Sequence, residues 1–156
     1  MTARRPQRRL ALAASSIAFA ILAPLAAADA VYHTEHLALT PAGDSPLRSG
    51  FVQNIKSEGP EVYAHELFVL NGAAPNTTYT VTRHLFLFDP GCSGGGFVFN
   101  SPVGILTTNG AGNGSGDAFV RPEEVPEVLE GDHGVFWTIE SGTGRYQTAC
   151  TTVTLD

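Results

Sequence analysis

The chain has 156 residues, and its 15 acidic and nine basic side chains give a net charge of −6 at neutral pH. An acidic protein surface repels phosphate groups, so nucleic acids and anionic membranes are poor partners for this chain. The length suits one domain with a single hydrophobic core, and 17 glycines and ten prolines indicate many turns.

The first thirty residues predict a secretory signal peptide of bacterial type, although the export route, general or twin-arginine, stays open. An arginine-rich head precedes an apolar run from Leu10 to Ala27, and small residues offer cleavage after Ala28 or Ala30. The alternative is a transmembrane anchor, but the run is rich in alanine and a proline interrupts it. We predict a leader over residues 1–30 and a secreted or envelope-associated domain over residues 31–156. Cleavage after Ala30 leaves five basic side chains against fourteen carboxylates, a net charge of −9.

The rest of the chain predicts strands and turns without a helix. Short apolar runs rich in β-branched and aromatic residues alternate with turn segments about every dozen residues. This spacing predicts an all-β fold, a single β-sandwich of about seven to nine antiparallel strands. The predicted strands are 31–40, 51–55, 62–70, 79–88, 96–100, 103–108, 117–121, 135–140 and 146–155.

The two central runs, 62–70 and 79–88, are apolar on both faces, whereas a strand of a sandwich usually has one face in the core and one face exposed to solvent. They form either a hairpin or a corner between two sheets. The residues at their outer positions are either covered by another segment, such as the 122–134 crossing, or exposed. If exposed, they offer a patch for an unidentified protein or glycan partner. The outer residues are Leu67, Val69, Phe86 and Phe88.

Cys92 and Cys150 are the only cysteines. In an exported chain an even pair predicts a structural disulfide, which here closes a loop of nearly sixty residues. A disulfide that closes a loop of this length stabilises the fold by roughly 4 kcal/mol in the chain-entropy model, because it restricts the unfolded chain. A redox-active or metal-binding thiol pair is the alternative, and the wide spacing disfavours it.

The segment from Pro75 to Val81, Pro-Asn-Thr-Thr-Tyr-Thr-Val, resembles the Pro-x-Thr-x-Tyr-x-Val segment of fibronectin type III and related immunoglobulin-like modules. The resemblance implies an immunoglobulin-like sandwich. It also implies a structural corner at Pro75 and Tyr79, where the tyrosine hydroxyl bonds back to the backbone. A second likeness is the glycine-rich run after Leu106, which resembles the hairpin of many exported bacterial β-sandwich proteins.

His65 and His84 are the sharpest candidates for chemistry. In a simple hairpin the two imidazoles would face each other at about 5 Å between Cβ atoms, close enough to share a metal ion. Zinc sites use three or four ligands, however, and the spacing indicates no third one. Two surface histidines on a sheet are the alternative interpretation, and no cofactor is predicted.

Other motifs are weaker. Asp132 beside His133 could orient a general base, but no serine or cysteine motif supplies a nucleophile. The Asn109–Asp117 run predicts a glycine-rich turn in preference to a calcium loop, because it lacks the acidic ligands of an EF-hand. We therefore predict a non-catalytic secreted binding module, and the alternative is a small extracellular metal-binding protein or enzyme that uses surface histidines.

Overall fold

Every regular element that the structure describes is a β-strand. The computed structural model describes residues 32–57, 64–121 and 131–155, and these contain ten strands and no helix, as the sequence predicts. The predicted signal peptide lies outside these residues. No helix that could cross a bilayer is present in the described ranges. The strands are β1 (Tyr32–Ala38), β2 (Thr40–Pro41), β3 (Ser49–Ser57), β4 (Ala64–Asn71), β5 (Thr78–Phe86), β6 (Val98–Thr107), β7 (Gly114–Val120), β8 (Gly131–Ser141), β9 (Gly144–Gln147) and β10 (Thr151–Leu155).

The strands form two antiparallel sheets. The four-stranded sheet has the order β1-β3-β4-β7, and the larger sheet has the order β2-β9-β8-β5-β6. β9 and β10 both pair with β8, β9 at residues 138–141 and β10 at residues 131–135, so together they line one of its edges. The predicted β-sandwich is confirmed, with about ten strands.

The two central apolar runs lie in different sheets. β4 pairs with β3 and β7, whereas β5 pairs with β6 and β8. The connection between them is therefore a corner, and the hairpin interpretation is wrong. A hairpin and a corner place the same alternation on each strand, so the sequence pattern cannot separate them.

The glycine-rich connection between β6 and β7 also crosses from one sheet to the other, although the sequence predicts a hairpin there. It packs closely on the β4–β5 corner, because the Ala73 N–H donates a hydrogen bond of 3.0 Å to the Gly112 carbonyl oxygen. A Cβ atom at Gly112 would lie 2.1 Å from the Ala73 carbonyl oxygen, and the φ of Gly112 is +76°. Only glycine fits this contact, so the two crossings stabilise each other.

The core lies between the sheets. Phe68 and Leu70 enter it from β4, while Val81, Trp137 and Ile139 enter from β5 and β8, and all five are almost fully buried. Alternate residues of β4 and β5 point inward, as the period of a strand requires. Full burial stabilises each of these side chains by roughly 1.5–3 kcal/mol relative to exposure.

Tyr79 lies in the core at the start of β5, and Pro75 is exposed in the corner before it. The Tyr79 hydroxyl is 3.4 Å from that of Tyr146, which itself donates a hydrogen bond of 2.8 Å to the Pro46 carbonyl. Burial and the neighbouring Tyr79 hydroxyl raise the pKa of Tyr146. Tyr146 therefore makes a hydroxyl-to-backbone bond next to Tyr79, and the corner that the resemblance implies at Pro75 and Tyr79 stays a prediction.

Two strand boundaries differ from the sequence prediction. The expected strands 96–100 and 103–108 form one strand, β6, in which Pro102 lies beside a shift in register against β5. β6 is an edge strand, where a missing N–H is tolerated. Conversely, the expected strand 146–155 is divided into β9 and β10, because the Thr148 hydroxyl accepts the Trp137 N–H in place of a ladder bond.

Cys92 and Cys150 form a disulfide across 58 positions of sequence. The bond connects the segment that follows β5 to the residue that precedes β10. The predicted disulfide is confirmed.

Candidate binding surface

Residues 87–97 connect β5 to β6, and we call them, together with Phe99, the aromatic loop. Leu87 donates a backbone hydrogen bond of 2.9 Å to Phe97, which closes the base of the loop. Both carboxylate oxygens of Asp89 accept the Ser93 hydroxyl at 3.0 Å, and one accepts the Gly94 N–H at 2.9 Å. Desolvation raises the pKa of Asp89, but these donors outweigh it and hold the pKa below its ordinary value.

The aromatic loop is fixed to the sandwich at two further points. Cys92 ties it to Cys150, and the Phe88 N–H donates a 3.0 Å hydrogen bond to Nδ1 of the buried His133. A Cβ at Gly134 would lie 2.3 Å from the Asp89 carbonyl oxygen, so the loop requires glycine at this position of β8. Phe88 itself has a φ of +55°, a conformation that bulky side chains rarely adopt. The surrounding contacts impose this conformation and direct the ring outward.

Three phenylalanine rings stand on the solvent side of this loop. Phe88 is 62% exposed, Phe97 66% and Phe99 44%, and the last two meet edge to face with ring centroids 4.8 Å apart. An open depression of about 580 Å³ lies between Phe88 and Phe97, and Leu87 and Asp89 also line it. Three rings exposed to this degree present on the order of 350 Å² of apolar area. A contiguous apolar patch of that size is often functional in a monomer.

His65 lies on the outer face of the four-stranded sheet. Its ring stacks on Phe119 with centroids 4.2 Å apart and an interplanar angle of 7°. Its Nε2 is 3.6 Å from a carboxylate oxygen of Asp117, an ion-pair distance that is too long for a hydrogen bond. Leu67 and Val69 share this face and are half-buried. The face is mixed aromatic and aliphatic in character.

His84 lies on the outer face of the other sheet. Its Nδ1 is 2.6 Å from Oδ1 of Asn100, and its Nε2 is 3.0 Å from the Thr138 hydroxyl. The ring also stacks on Phe136 with centroids 4.5 Å apart. Both nitrogens of His84 are therefore engaged, and the structure does not bring His84 and His65 together. Within the described residues, no three His, Cys, Asp or Glu side chains are grouped closely enough to hold a metal ion.

The four apolar residues that the sequence offers as one outer patch lie on three different surfaces. Leu67 and Val69 lie on the four-stranded sheet, whereas Phe86 packs on Phe136 in the larger sheet at a centroid distance of 5.7 Å. Phe88 belongs to the aromatic loop. These residues do not form one continuous surface because β4 and β5 belong to different sheets, and their use by a protein or glycan partner stays a prediction. The sequence also offers the 122–134 crossing as a cover for these outer positions. Residues 122–130 of that crossing lie outside the residues that the structure describes.

Asp132 does not orient His133 as a general base in this structure. They are neighbours within β8, so their side chains point to opposite faces. Asp132 accepts a hydrogen bond of 2.7 Å from the Thr154 hydroxyl, and His133 accepts the Phe88 N–H. Both residues have contacts that explain them structurally.

No family model, curated protein or solved structure matches the chain. The candidate surface therefore depends on geometry alone. Phe97 and Phe99 were missed by the sequence analysis, which assigned them to a short strand. The signal that could have found them is the run of three glycines, 94–96, placed between a disulfide cysteine and two alternating phenylalanines.

Proposed function

We propose that this chain is a non-catalytic, secreted binding module that holds a protein partner through the aromatic loop. The observation that carries the proposal is the group of three exposed phenylalanines, Phe88, Phe97 and Phe99, on a loop that the fold holds rigidly. Loops held on a rigid scaffold are a common location for binding residues. The disulfide supports export, since such bonds persist in oxidising compartments. The immunoglobulin-like resemblance at Pro75–Val81 agrees with a module of this kind.

The chemistry of the loop favours a protein over a lipid or a glycan. Residues 87–99 contain no lysine or arginine that could hold a phosphate headgroup, and the chain is acidic. Asp89 and Ser93 bond to each other, so these polar side chains are engaged within the loop. Sugar hydroxyls need hydrogen-bonding side chains, whereas an apolar side chain needs only the rings and the depression between them.

A dye that fluoresces on apolar surfaces provides a first test. The folded wild-type protein should bind it, and the triple variant Phe88→Ser/Phe97→Ser/Phe99→Ser should lose most of the binding. The matched control is Phe119→Ser, because Phe119 is 53% exposed on a different surface. Exposed substitutions of this kind change stability little. Equal dye binding by the triple variant and the wild type would contradict the proposal.

Photo-crosslinking identifies the partner directly. A benzoylphenylalanine at position 97 in the secreted protein should give a discrete adduct under ultraviolet light in the producing culture. Excess unlabelled wild type should compete the adduct away, and excess triple variant should not. A reporter at position 119 is the control. No adduct at position 97, or an equal adduct at position 119, contradicts the proposal. An adduct that is degraded by glycosidase but not by protease would show that the partner is a glycan and not a protein.

A further inference from the structure

A row of polar side chains crosses the interior of the sandwich. On the four-stranded sheet, Glu35 is directly opposite Asn54, and Asn54 is directly opposite Glu66. On the larger sheet, Arg83 is directly opposite Trp137. Side chains that are directly opposed on neighbouring strands lie on the same face about 5 Å apart. The core therefore contains one polar layer among apolar ones.

Two contacts show which strands of the two sheets face each other. Arg83 of β5 donates a 3.0 Å hydrogen bond to Oε1 of Glu66 in β4, and Thr151 of β10 donates to Glu35 in β1. β5 thus lies over β4, and β10 lies over β1. Since β8 is between β5 and β10, it lies over β3, which is between β4 and β1. Because Arg83 contacts Glu66, its neighbour Trp137 on β8 lies on the β3 side of this contact, toward Asn54, whereas Thr151 is level with Val135, two residues away along β8.

Three buried polar atoms in this layer have no partner within the protein. They are Oδ1 of Asn54, Oε2 of Glu66 and Nε1 of Trp137. The three residues are 3%, 1% and 1% exposed. Buried polar groups are almost always hydrogen-bonded, to protein or to ordered water, because an unpaired one loses its hydration without replacement. Two of the three atoms are acceptors and one is a donor.

We propose that a single internal water molecule, bound by Asn54, Glu66 and Trp137, joins the two sheets of this protein. Water donates two hydrogen bonds and accepts two, so one molecule donates to Asn54 Oδ1 and Glu66 Oε2 and accepts from the Trp137 indole. Three hydrogen bonds are the usual number for a buried water. The water then acts as a structural ligand that completes the polar layer.

A metal cation fits this layer less well than water. The two oxygens are suitable ligands for a hard cation, but the Trp137 indole N–H can only donate a hydrogen bond and so offers a cation nothing to bind. The guanidinium of Arg83 already neutralises Glu66 at 3.0 Å. A cation would therefore meet a donor and a positive charge, whereas neutral water accepts from the donor and leaves the ion pair intact.

The single tryptophan makes the proposal testable by proton NMR on the secreted protein, since the chain has only one indole N–H. The Trp137 indole proton should show a water cross-peak with opposite signs in the laboratory-frame and rotating-frame Overhauser experiments, which identifies a long-lived water. Peaks of equal sign, which indicate proton exchange, or no peak, overturn the proposal. This result is independent of the aromatic loop.

Two variants and one titration complete the test. Asn54→Leu removes one acceptor at similar volume and should abolish the water peak, whereas the core control Val52→Ala, on the same face of β3, should retain it. Retention of the peak in a folded Asn54→Leu protein contradicts the assigned position. Titration of the wild type with calcium or sodium ions should leave the indole resonance unchanged. A saturable shift of that resonance would show that a cation, and not a water molecule, occupies the site, and would overturn the proposal. If Asn54→Leu does not fold, the wild-type peak and the titration still decide the question.

Discussion

Removal of the disulfide gives the prediction with the most definite magnitude. The bond between Cys92 and Cys150 spans 58 positions of sequence, so its loss frees a large loop in the unfolded chain. The chain-entropy relation gives about 4 kcal/mol for a loop of this length at 25 °C. Domains of this size have unfolding free energies of about 5–15 kcal/mol, so the loss is a large fraction of the total. The double variant Cys92→Ser/Cys150→Ser should therefore melt about 15 °C lower.

Urea unfolding followed by tryptophan fluorescence measures this loss. Trp137 is the only tryptophan and is 1% exposed, so its emission reports the opening of the core. The midpoint should fall by the equivalent of about 4 kcal/mol in the double variant. Wild-type protein unfolded in the presence of a thiol reductant is the control, and its curve should coincide with that of the double variant.

A loss below about 1 kcal/mol would refute the chain-entropy reasoning for this protein. It would indicate an unfolded state that keeps the two cysteines close together without the bond. A double variant that is much less stable than the reduced wild type would instead indicate a packing effect of the serines. Cys92 is the residue to suspect, because its sulfur lies against Gly134 in β8.

Three further perturbations have defined outcomes. Arg83→Met leaves the carboxylate of Glu66 buried without its partner and should cost about 3–5 kcal/mol in urea unfolding, most of which Arg83→Met/Glu66→Leu recovers. Phe68→Ala removes a ring that is 1% exposed from the core and should cost about 3–5 kcal/mol in the same assay. The lowered pKa of Asp89 means that its hydrogen bonds contribute above the ordinary carboxyl pKa of about 4 and are lost as the pH falls through the folded value. The amide resonance of Gly94 should therefore shift in acid, and Asp89→Asn should abolish that titration.

Each of these has a control within the chain. Phe119→Ala, at an exposed ring, should cost far less than Phe68→Ala, and equal costs would contradict the assignment of the core. Arg145→Met removes an exposed ion pair with Glu140 and should have little effect, unlike Arg83→Met. Failure of the Arg83→Met/Glu66→Leu protein to recover stability would show that the layer depends on more than this pair. A Gly94 resonance that does not move with pH would contradict the loop geometry.

The local features of this chain were readable from its sequence. Alternation in the run 64–71 places Phe68 and Leu70 on one face whatever sheet the strand joins, because the period of a strand is a backbone property. The pairing of Cys92 with Cys150 was predicted from the presence of two cysteines in a chain with a predicted signal peptide. The Pro102 interruption was misread because a proline at a sheet edge costs little, and edges are not visible in a sequence.

The candidate surface could not be found in this way. Exposure of Phe97 and Phe99 depends on what the opposite sheet places against them, and an alternating FVF pattern is equally typical of a buried strand. The same holds for Glu66, which the sequence shows only as one acidic residue in an apolar run. Its partner Arg83 is 17 positions away and becomes a neighbour only across the sandwich.

Sequence alone determined the all-strand character and the covalent link, because the first depends on local backbone preference and the second on the cysteine count. Tertiary structure decided which strands are neighbours. It placed β4 and β5 in opposite sheets, separated His65 from His84 and gathered three phenylalanines on one loop. The physical reason is that strand alternation specifies which face a side chain takes, whereas the choice of neighbouring strand depends on packing between residues far apart in the chain.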